Sequence, residues 1–214
     1  MPTNDITTLS DFLGAELATR IYEFAVSSEN DFVPAKVGRD EGKLDEIGRR
    51  SSRLVELGEF SADIESGVER ALPQIIAKLG IGPFEVGMYE IELVSHGDGC
   101  FYKRHLDTFT GGDRNRTGDR IVSCFYYFHS PARAYSGGAL RIYPLPTAFR
   151  KTPDFIDVVP EHDTLAAFSS WLPHEVMPVH CPSKLFEHSR FSINCWVYRA
   201  TPVAASVSEI PPVA

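Results

Sequence analysis

A chain of 214 residues that is 43% hydrophobic and 23% charged has enough sequence to bury one sizeable core, and its composition is that of an ordinary globular domain. A formal net charge of −8 argues against a general nucleic-acid binder, which needs a basic footprint. The cysteines Cys100, Cys124, Cys181 and Cys195 form no CxxC pair, the N-terminus lacks the pattern of a secretion signal, and no run approaches the ~18 apolar residues of a membrane span. The expected setting is therefore cytoplasmic, with reduced thiols and neither membrane nor nucleic acid as partner.

Along the chain, residues 1–9 read as a loose N-terminus. Ser10 and Asp11 offer an N-cap to a first helix ending near Ser27, carrying Phe12, Leu13, Leu17, Ile21 and Tyr22 at helical spacing. A charged stretch follows to Arg53, in which Arg49, Arg50 and Arg53 read as a solvated face. A second helix is expected over Ser61–Leu79, with Pro73 as a potential kink and Gly80 as its stop. Beyond Pro83 the period changes from helical to alternating. Strands are expected over Phe84–Val94, Tyr102–His105, Ile121–His129, Gly138–Pro144, Thr164–Phe168 and Phe191–Tyr198. Helices first and many short strands afterwards predict one mainly β domain with N-terminal helices. Residues 10–83 would form a helical buttress on a double-stranded β-helix, or jelly-roll, core over 84–199, and residues 200–214 a tail.

The candidate chemistry begins at His105-Leu106-Asp107. On a strand, residues i and i+2 share a face, so His105 and Asp107 can hold one metal while Leu106 packs the other way. His174 lies downstream in Leu172-Pro-His-Glu-Val176. Two imidazoles and one carboxylate, with coordination positions left open, form the facial triad of non-haem iron(II) oxygenases. Glu175 is excluded as a ligand because adjacent strand residues point apart. His96, His129, His162, His180 and His188 have no partners at metal spacing and read as surface or loop residues.

Around these positions stand Tyr102-Lys-Arg-His-Leu-Asp107, Cys124-Phe-Tyr-Tyr-Phe128, Ser136-Gly-Gly-Ala-Leu-Arg-Ile-Tyr-Pro144, Leu165-Ala-Ala-Phe168, Pro173-His-Glu-Val-Met-Pro178 and Arg190-Phe-Ser-Ile-Asn-Cys-Trp-Val197. In this order, from about Glu92 to Arg199, the segments resemble the 2-oxoglutarate- and iron(II)-dependent dioxygenases, most closely the prolyl-hydroxylase branch. The resemblance implies iron(II) on His105, Asp107 and His174, with 2-oxoglutarate and dioxygen as co-substrates and ascorbate as a reductant. It implies oxidative decarboxylation of 2-oxoglutarate to succinate, coupled to hydroxylation. The substrate it favours is a prolyl residue in a peptide or protein; a free amino acid or other small molecule is the alternative. A jelly-roll binding module without catalysis is the rival from another class, and the oligomeric state stays open.

For the distal carboxylate of 2-oxoglutarate, the resemblance points to the guanidinium of Arg190, with Ser192 on the same face and the hydroxyl of Tyr127 in support; Tyr126 falls on the opposite face. Leu140 is a further candidate for the pocket wall. Arg190 follows His174 by 16 residues, more than the family's usual spacing, and Cys181–His188 reads as a loop insertion. Lys184 is the competing clamp at the family's alternative spacing. Arg190 is preferred, because strand context sets its place and loops absorb length. Thr108–Arg120 has the composition of a mobile lid, and Ala35–Arg53 is a second segment able to fold over the site.

Overall fold

A computed structural model describes residues 5–36, 47–108, 119–145 and 154–201. In chain order these form β1 (Ile6–Ser10), α1 (Ala15–Ser27), β2 (Val33–Pro34), β3 (Arg49–Arg50), β4 (Ser52–Leu54), α2 (Phe60–Leu79), β5 (Val86–His96) and β6 (Phe101–His105). They continue with β7 (Arg120–Phe128), β8 (Ser136–Gly137), β9 (Leu140–Ile142), β10 (Ile156–Val158), β11 (Thr164–Ser169), β12 (His174–Val176), β13 (Val179–His180) and β14 (Arg190–Arg199). One sheet runs β1-β11-β7-β14-β5-β4-β2 and a second runs β10-β9-β12-β6-β3, with β8 and β13 paired apart. The described pairings are antiparallel.

Alternation along β7 and β14 divides the interior in two. Cys124, Tyr126 and Phe128, with Ile193, Cys195 and Val197, turn toward Ile21 and Ala25 of α1 and Ile64, Val68 and Ile75 of α2. Phe125, Tyr127, Trp196 and Tyr198 turn the other way, joining Ala166 and Phe168 of β11 and Leu140 and Ile142 of β9 between the two sheets. The period of two thus gives each central strand two apolar faces, as a sheet covered on both sides requires. The mainly β jelly-roll expectation holds.

The N-terminus departs from expectation. Residues 6–10 are not loose: they form an edge strand on β11, with Ile6 opposite Phe168 and Ser10 opposite Thr164. Ile-Thr-Thr suits a strand, but its partner lies more than 150 residues away, beyond any local signal. Helix α1 also starts later, at Ala15, leaving Phe12 and Leu13 outside it, and Asp11 takes a positive φ of 51° instead of capping. The cap is non-local: the Asp163 carboxylate accepts the N–H groups of Leu13 and Gly14, both at 2.9 Å. Helix α2 runs through Pro73, whose side is exposed, and ends at Gly80 with φ 68°, where the N–H of Ile81 bonds the carbonyl of Ile76.

Candidate metal centre

Strands β6 and β12 pair so that His105 stands opposite His174. Asp107 lies just past the end of β6 in a bend, where the carbonyl of Ser170 accepts the N–H groups of both Asp107 and Thr108. One ligand atom from each of His105, Asp107 and His174 falls within 4.8 Å of the others, so the three could hold a metal ion. The Nε2 atoms of His105 and His174 lie 3.6 and 3.4 Å from the two Asp107 carboxylate oxygens. Each imidazole uses Nδ1 on a backbone carbonyl, His105 on Lys103 at 2.8 Å and His174 on Leu172 at 3.0 Å. Donation from Nδ1 leaves the Nε2 lone pair free for a metal. Nε2 of His174 is buried without any hydrogen-bond partner, the arrangement a ligand atom needs.

Rings lock the imidazoles in place. Tyr102 stacks on His105 at 3.6 Å between centroids, and Phe125 and Phe168 meet His174 edge-on. Ser123 donates to Asp107 Oδ2 at 2.6 Å and approaches the hydroxyl of Ser170 at 2.9 Å. Burial alone would raise the Asp107 carboxyl, but the two imidazoles and the Ser123 hydroxyl outweigh it, and the net shift is downward. Burial, then the neighbouring His174, drives His105 down to about 3. At neutral pH the cluster therefore presents an ionised carboxylate beside a neutral His105, the protonation state that binds metal.

A cavity of about 490 Å³ opens on His105 and Asp107 and extends to Arg190, Ser192 and His96. Arg190 is 1% exposed. Its Nε donates to the Gly138 carbonyl at 2.9 Å, and its Nη1 to Ser192 Oγ and His96 Nδ1, both at 3.4 Å. Tyr127 lies under the guanidinium, 4.9 Å from ring centroid to Cζ. Arg190 Nη2 and the Tyr127 hydroxyl are both buried without partners. Buried polar atoms are ordinarily satisfied, so these orphans mark where an anionic, hydrogen-bonding ligand would fit.

The model of the 2OG-Fe(II) oxygenase superfamily matches residues 91–198. The chain belongs to this superfamily. It is 30% identical over 194 residues to an uncharacterized PKHD-type hydroxylase of Synechocystis sp., a match covering 88% of this chain and 61% of that protein's length. Among solved structures it resembles a Pseudomonas putida prolyl-4-hydroxylase, with TM-score 0.66, 24% identity, and 92% and 94% of the two chains covered. It also resembles a Trichoplax adhaerens prolyl hydroxylase in complex with a hypoxia inducible factor oxygen degradation domain peptide fragment, with TM-score 0.66, 20% identity, and 92% and 84% covered. These likenesses carry the jelly-roll fold.

Within this superfamily member the sequence-derived candidates separate cleanly. His105, Asp107, Arg190 and Ser192 line one cavity, His174 stands beside His105 and Asp107, and Tyr127 lies against Arg190. Tyr126 points to the helical side, where its hydroxyl donates to Asp163 at 3.0 Å. Leu140 belongs to the apolar layer between the sheets. Lys184 is exposed, at φ 57° in a turn of the Cys181–His188 insertion, and that insertion is pinned by Phe186 packing on Phe191 and Phe32. Glu175 turns away and accepts the Tyr143 hydroxyl.

Three expectations fail. Leu106 does not pack away from His105 and Asp107: it is 42% exposed and lines the same cavity, because the strand has ended and Asp107 comes beside the imidazoles from a bend. Arg49 and Arg53 are not a solvated face. Buried Glu92 draws Arg49 to 3.4 Å and Arg53 to 3.2 Å, and Arg49 also lies over the Tyr102 ring. His96 is not a surface residue: it is 3% exposed and pairs across the sheet with Arg190. Its signal lies in the partner strand, which local reading does not see. Ser123 had a visible signal, a lone serine in the apolar and aromatic run Ile121–Phe128. Residues 109–118 of the expected lid and 37–46 of the other candidate segment lie outside the described residues. Lys36, Arg49 and Arg53 from the latter segment do line the cavity.

Proposed function

We propose that this oxygenase holds iron(II) through Nε2 of His105 and His174 and the Asp107 carboxylate, binds 2-oxoglutarate with its distal carboxylate on Arg190, and hydroxylates a prolyl residue of a peptide or protein. The observation that carries the reading is the buried Arg190 guanidinium with one amino group unpartnered, in the cavity that opens on the metal ligands. A buried cation without an anion is costly by several kcal/mol, and a bound carboxylate offsets that cost. Planar guanidinium and carboxylate match bidentately. Burial pushes the Tyr127 phenol up to about 12, so its hydroxyl stays protonated and donates to the same anion. Ser192 accepts from Arg190 and donates to Asn194 at 3.1 Å, which fixes the clamp.

Bound iron(II) supplies the activation of dioxygen that couples oxidative decarboxylation of 2-oxoglutarate to substrate hydroxylation. The carbonyls of Lys103 and Leu172 set both imidazole tautomers, and Ser123 holds one oxygen of Asp107. The apolar layer around Phe125 and Phe168 excludes water from the inner face of His174. The Pseudomonas and Trichoplax prolyl hydroxylases, the second in complex with a peptide fragment, support a prolyl substrate. Ascorbate as reductant, a single domain over residues 1–214 with residues 10–83 buttressing the core, and a cytoplasmic setting complete the proposal. Four free thiols support the last point, and among the described residues no helix is long and apolar enough to cross a membrane.

The test is succinate release across proline-containing peptides, free amino acids and cell extract, with mass spectrometry for the gain of one oxygen. Release should require both iron(II) and 2-oxoglutarate, and Arg190→Ala should raise the KM for 2-oxoglutarate while Lys184→Ala leaves it unchanged. Turnover of free amino acids alone would replace the prolyl reading with a small-molecule hydroxylase. Succinate formation indifferent to 2-oxoglutarate would overturn the chemistry.

A further inference from the structure

The cavity that opens on the metal ligands is lined by an excess of cations, in a chain whose formal net charge is −8. Two arginines from different sheets meet there. Arg49 opens β3, in the sheet that carries His105 and His174, and Arg53 sits in β4 beside β5. Both reach the same buried carboxylate, Glu92, at 3.4 and 3.2 Å. One carboxylate neutralises one guanidinium, so the trio keeps a positive charge. Arg49 is held inside the protein, by Ser51 Oγ at 2.9 Å and over the Tyr102 ring, with 10% of its side chain exposed. Arg53 keeps 36% of its side chain exposed where it lines the cavity, and Lys36, fully on the surface, lines it too. Arg120 in the same wall is matched by Glu90 at 2.6 Å and adds no net charge. With Asp107 assigned to the metal and Arg190 to the co-substrate, the described lining retains two cations beyond its carboxylates, Arg53 and Lys36.

We infer that Arg53 and Lys36 read the chain around the reacting residue, and that the preferred substrate is an acidic peptide with Asp or Glu close to the prolyl residue. The inference rests on the peptide reading of the function and adds a substrate class to it. A prolyl residue at the metal carries its neighbours outward along the same cavity, ~3.3–3.6 Å per residue, so side chains one or two positions away pass the two cations. Clustered cations of this kind recognise acidic motifs, and a guanidinium matches a carboxylate in shape as well as charge. The competing role is structural, with Glu92, Arg49 and Arg53 as a clip between the two sheets that is blind to the peptide. Such a clip accounts for Glu92 and Arg49. It leaves unexplained a second, partly exposed arginine and a lysine where one guanidinium already neutralises the carboxylate.

The experiment is a competition in one pot. Protein supplied with iron(II) and 2-oxoglutarate meets a pool of short peptides, each with a central proline flanked by Asp, Glu, Asn, Gln, Ala or Lys. Mass spectrometry then reads the gain of one oxygen peptide by peptide. Asp- or Glu-flanked peptides should react about fivefold faster than their Asn or Gln counterparts, the effect of one partly exposed ion pair, and Lys-flanked peptides slowest. The preference should shrink as salt is raised. Arg53→Glu and, separately, Lys36→Glu should abolish the preference or turn it toward Lys. The ratio is internal to each reaction, so a smaller folded fraction cannot imitate that change. Arg53→Glu sets a carboxylate beside Glu92 and risks misfolding, whereas Lys36→Glu alters an exposed side chain and carries the test alone. If prolyl peptides gain oxygen without regard to flanking charge, or both variants keep the wild-type ratio, the inference is overturned and the prolyl reading stands. If no peptide gains oxygen while free amino acids do, the peptide reading falls and this inference with it.

Discussion

Gly138 abuts the side chain of Arg190, the proposed clamp, and Gly138→Ala should weaken 2-oxoglutarate binding by displacing Arg190 while leaving every side chain proposed to contact the co-substrate in the sequence. A Cβ built at Gly138 would stand 2.8 Å from Arg190 Cδ and 2.9 Å from Val179 Cγ2. Restoring ordinary contact, which starts at 3.4 Å, needs a displacement of about 0.6 Å, directed at the base of the guanidinium. Arg190 Nε also bonds the Gly138 carbonyl at 2.9 Å, so the same shift strains the bond that orients the fork. Loss of good geometry in one charged hydrogen bond is worth about 1.5–3 kcal/mol, or roughly 10–100-fold in affinity. The φ of +68° adds a backbone cost of about 1–2 kcal/mol for a side chain in the left-handed region. Gly58→Ala separates the two effects, because Gly58 has φ +56° with nothing within 4 Å of its Cβ. Both variants should melt a few degrees early in calorimetry. Only Gly138→Ala should raise the dissociation constant for 2-oxoglutarate in anaerobic titration. Equal affinities in the two variants would refute the argument that this glycine exists to seat Arg190.

Ser123→Ala removes the 2.6 Å hydrogen bond to Asp107 Oδ2 and should weaken iron(II) binding about tenfold in a metal titration, while Asp107→Ala abolishes it. Asp163→Ala strips the acceptor from Leu13, Gly14 and Tyr126 together; it should cost about 2 kcal/mol and lower Tm by roughly 4–8 °C, with 2-oxoglutarate affinity unchanged. The metal-free protein should lose stability as pH falls below about 6.5, because the unfolded chain protonates His105 and His96 there. The folded state resists, holding His105 neutral to about 3 and His96 well below its usual value. The folded state thus binds fewer protons, and each imidazole adds up to about 1.4 kcal/mol per pH unit to the fall. Urea midpoints in chelator that are flat between pH 7.5 and 5.0 would contradict this.

Much of the site was legible because its chemistry depends on residue type at close spacing. His105 and Asp107 sit two apart, so a local pattern brings them forward, while the family resemblance points to His174 after one apolar strand and to Arg190 at the start of another. Period-two alternation likewise sets Tyr127 and Tyr126 on opposite faces, since a strand fixes which neighbours share a face. The helical stripe of α2 was equally plain, from Ile64 through Val68 to Ile75. The choice of Arg190 over Lys184 needed more than spacing, and burial supports it: one is enclosed in the cavity, the other exposed in a turn.

What the sequence by itself determined was the content of the site: two imidazoles, one carboxylate, a guanidinium, and an alternating β core to carry them. Only the tertiary structure decided which distant groups complete them. It turned Ile6–Ser10 into a strand on β11, set Asp163 on the start of α1, drew Arg49 and Arg53 onto buried Glu92, and placed His96 against Arg190. Each of these depends on a partner far along the chain. Strand pairing and buried charge neutralisation are decided by which segments meet when apolar faces are removed from water, and no short window of sequence records that meeting.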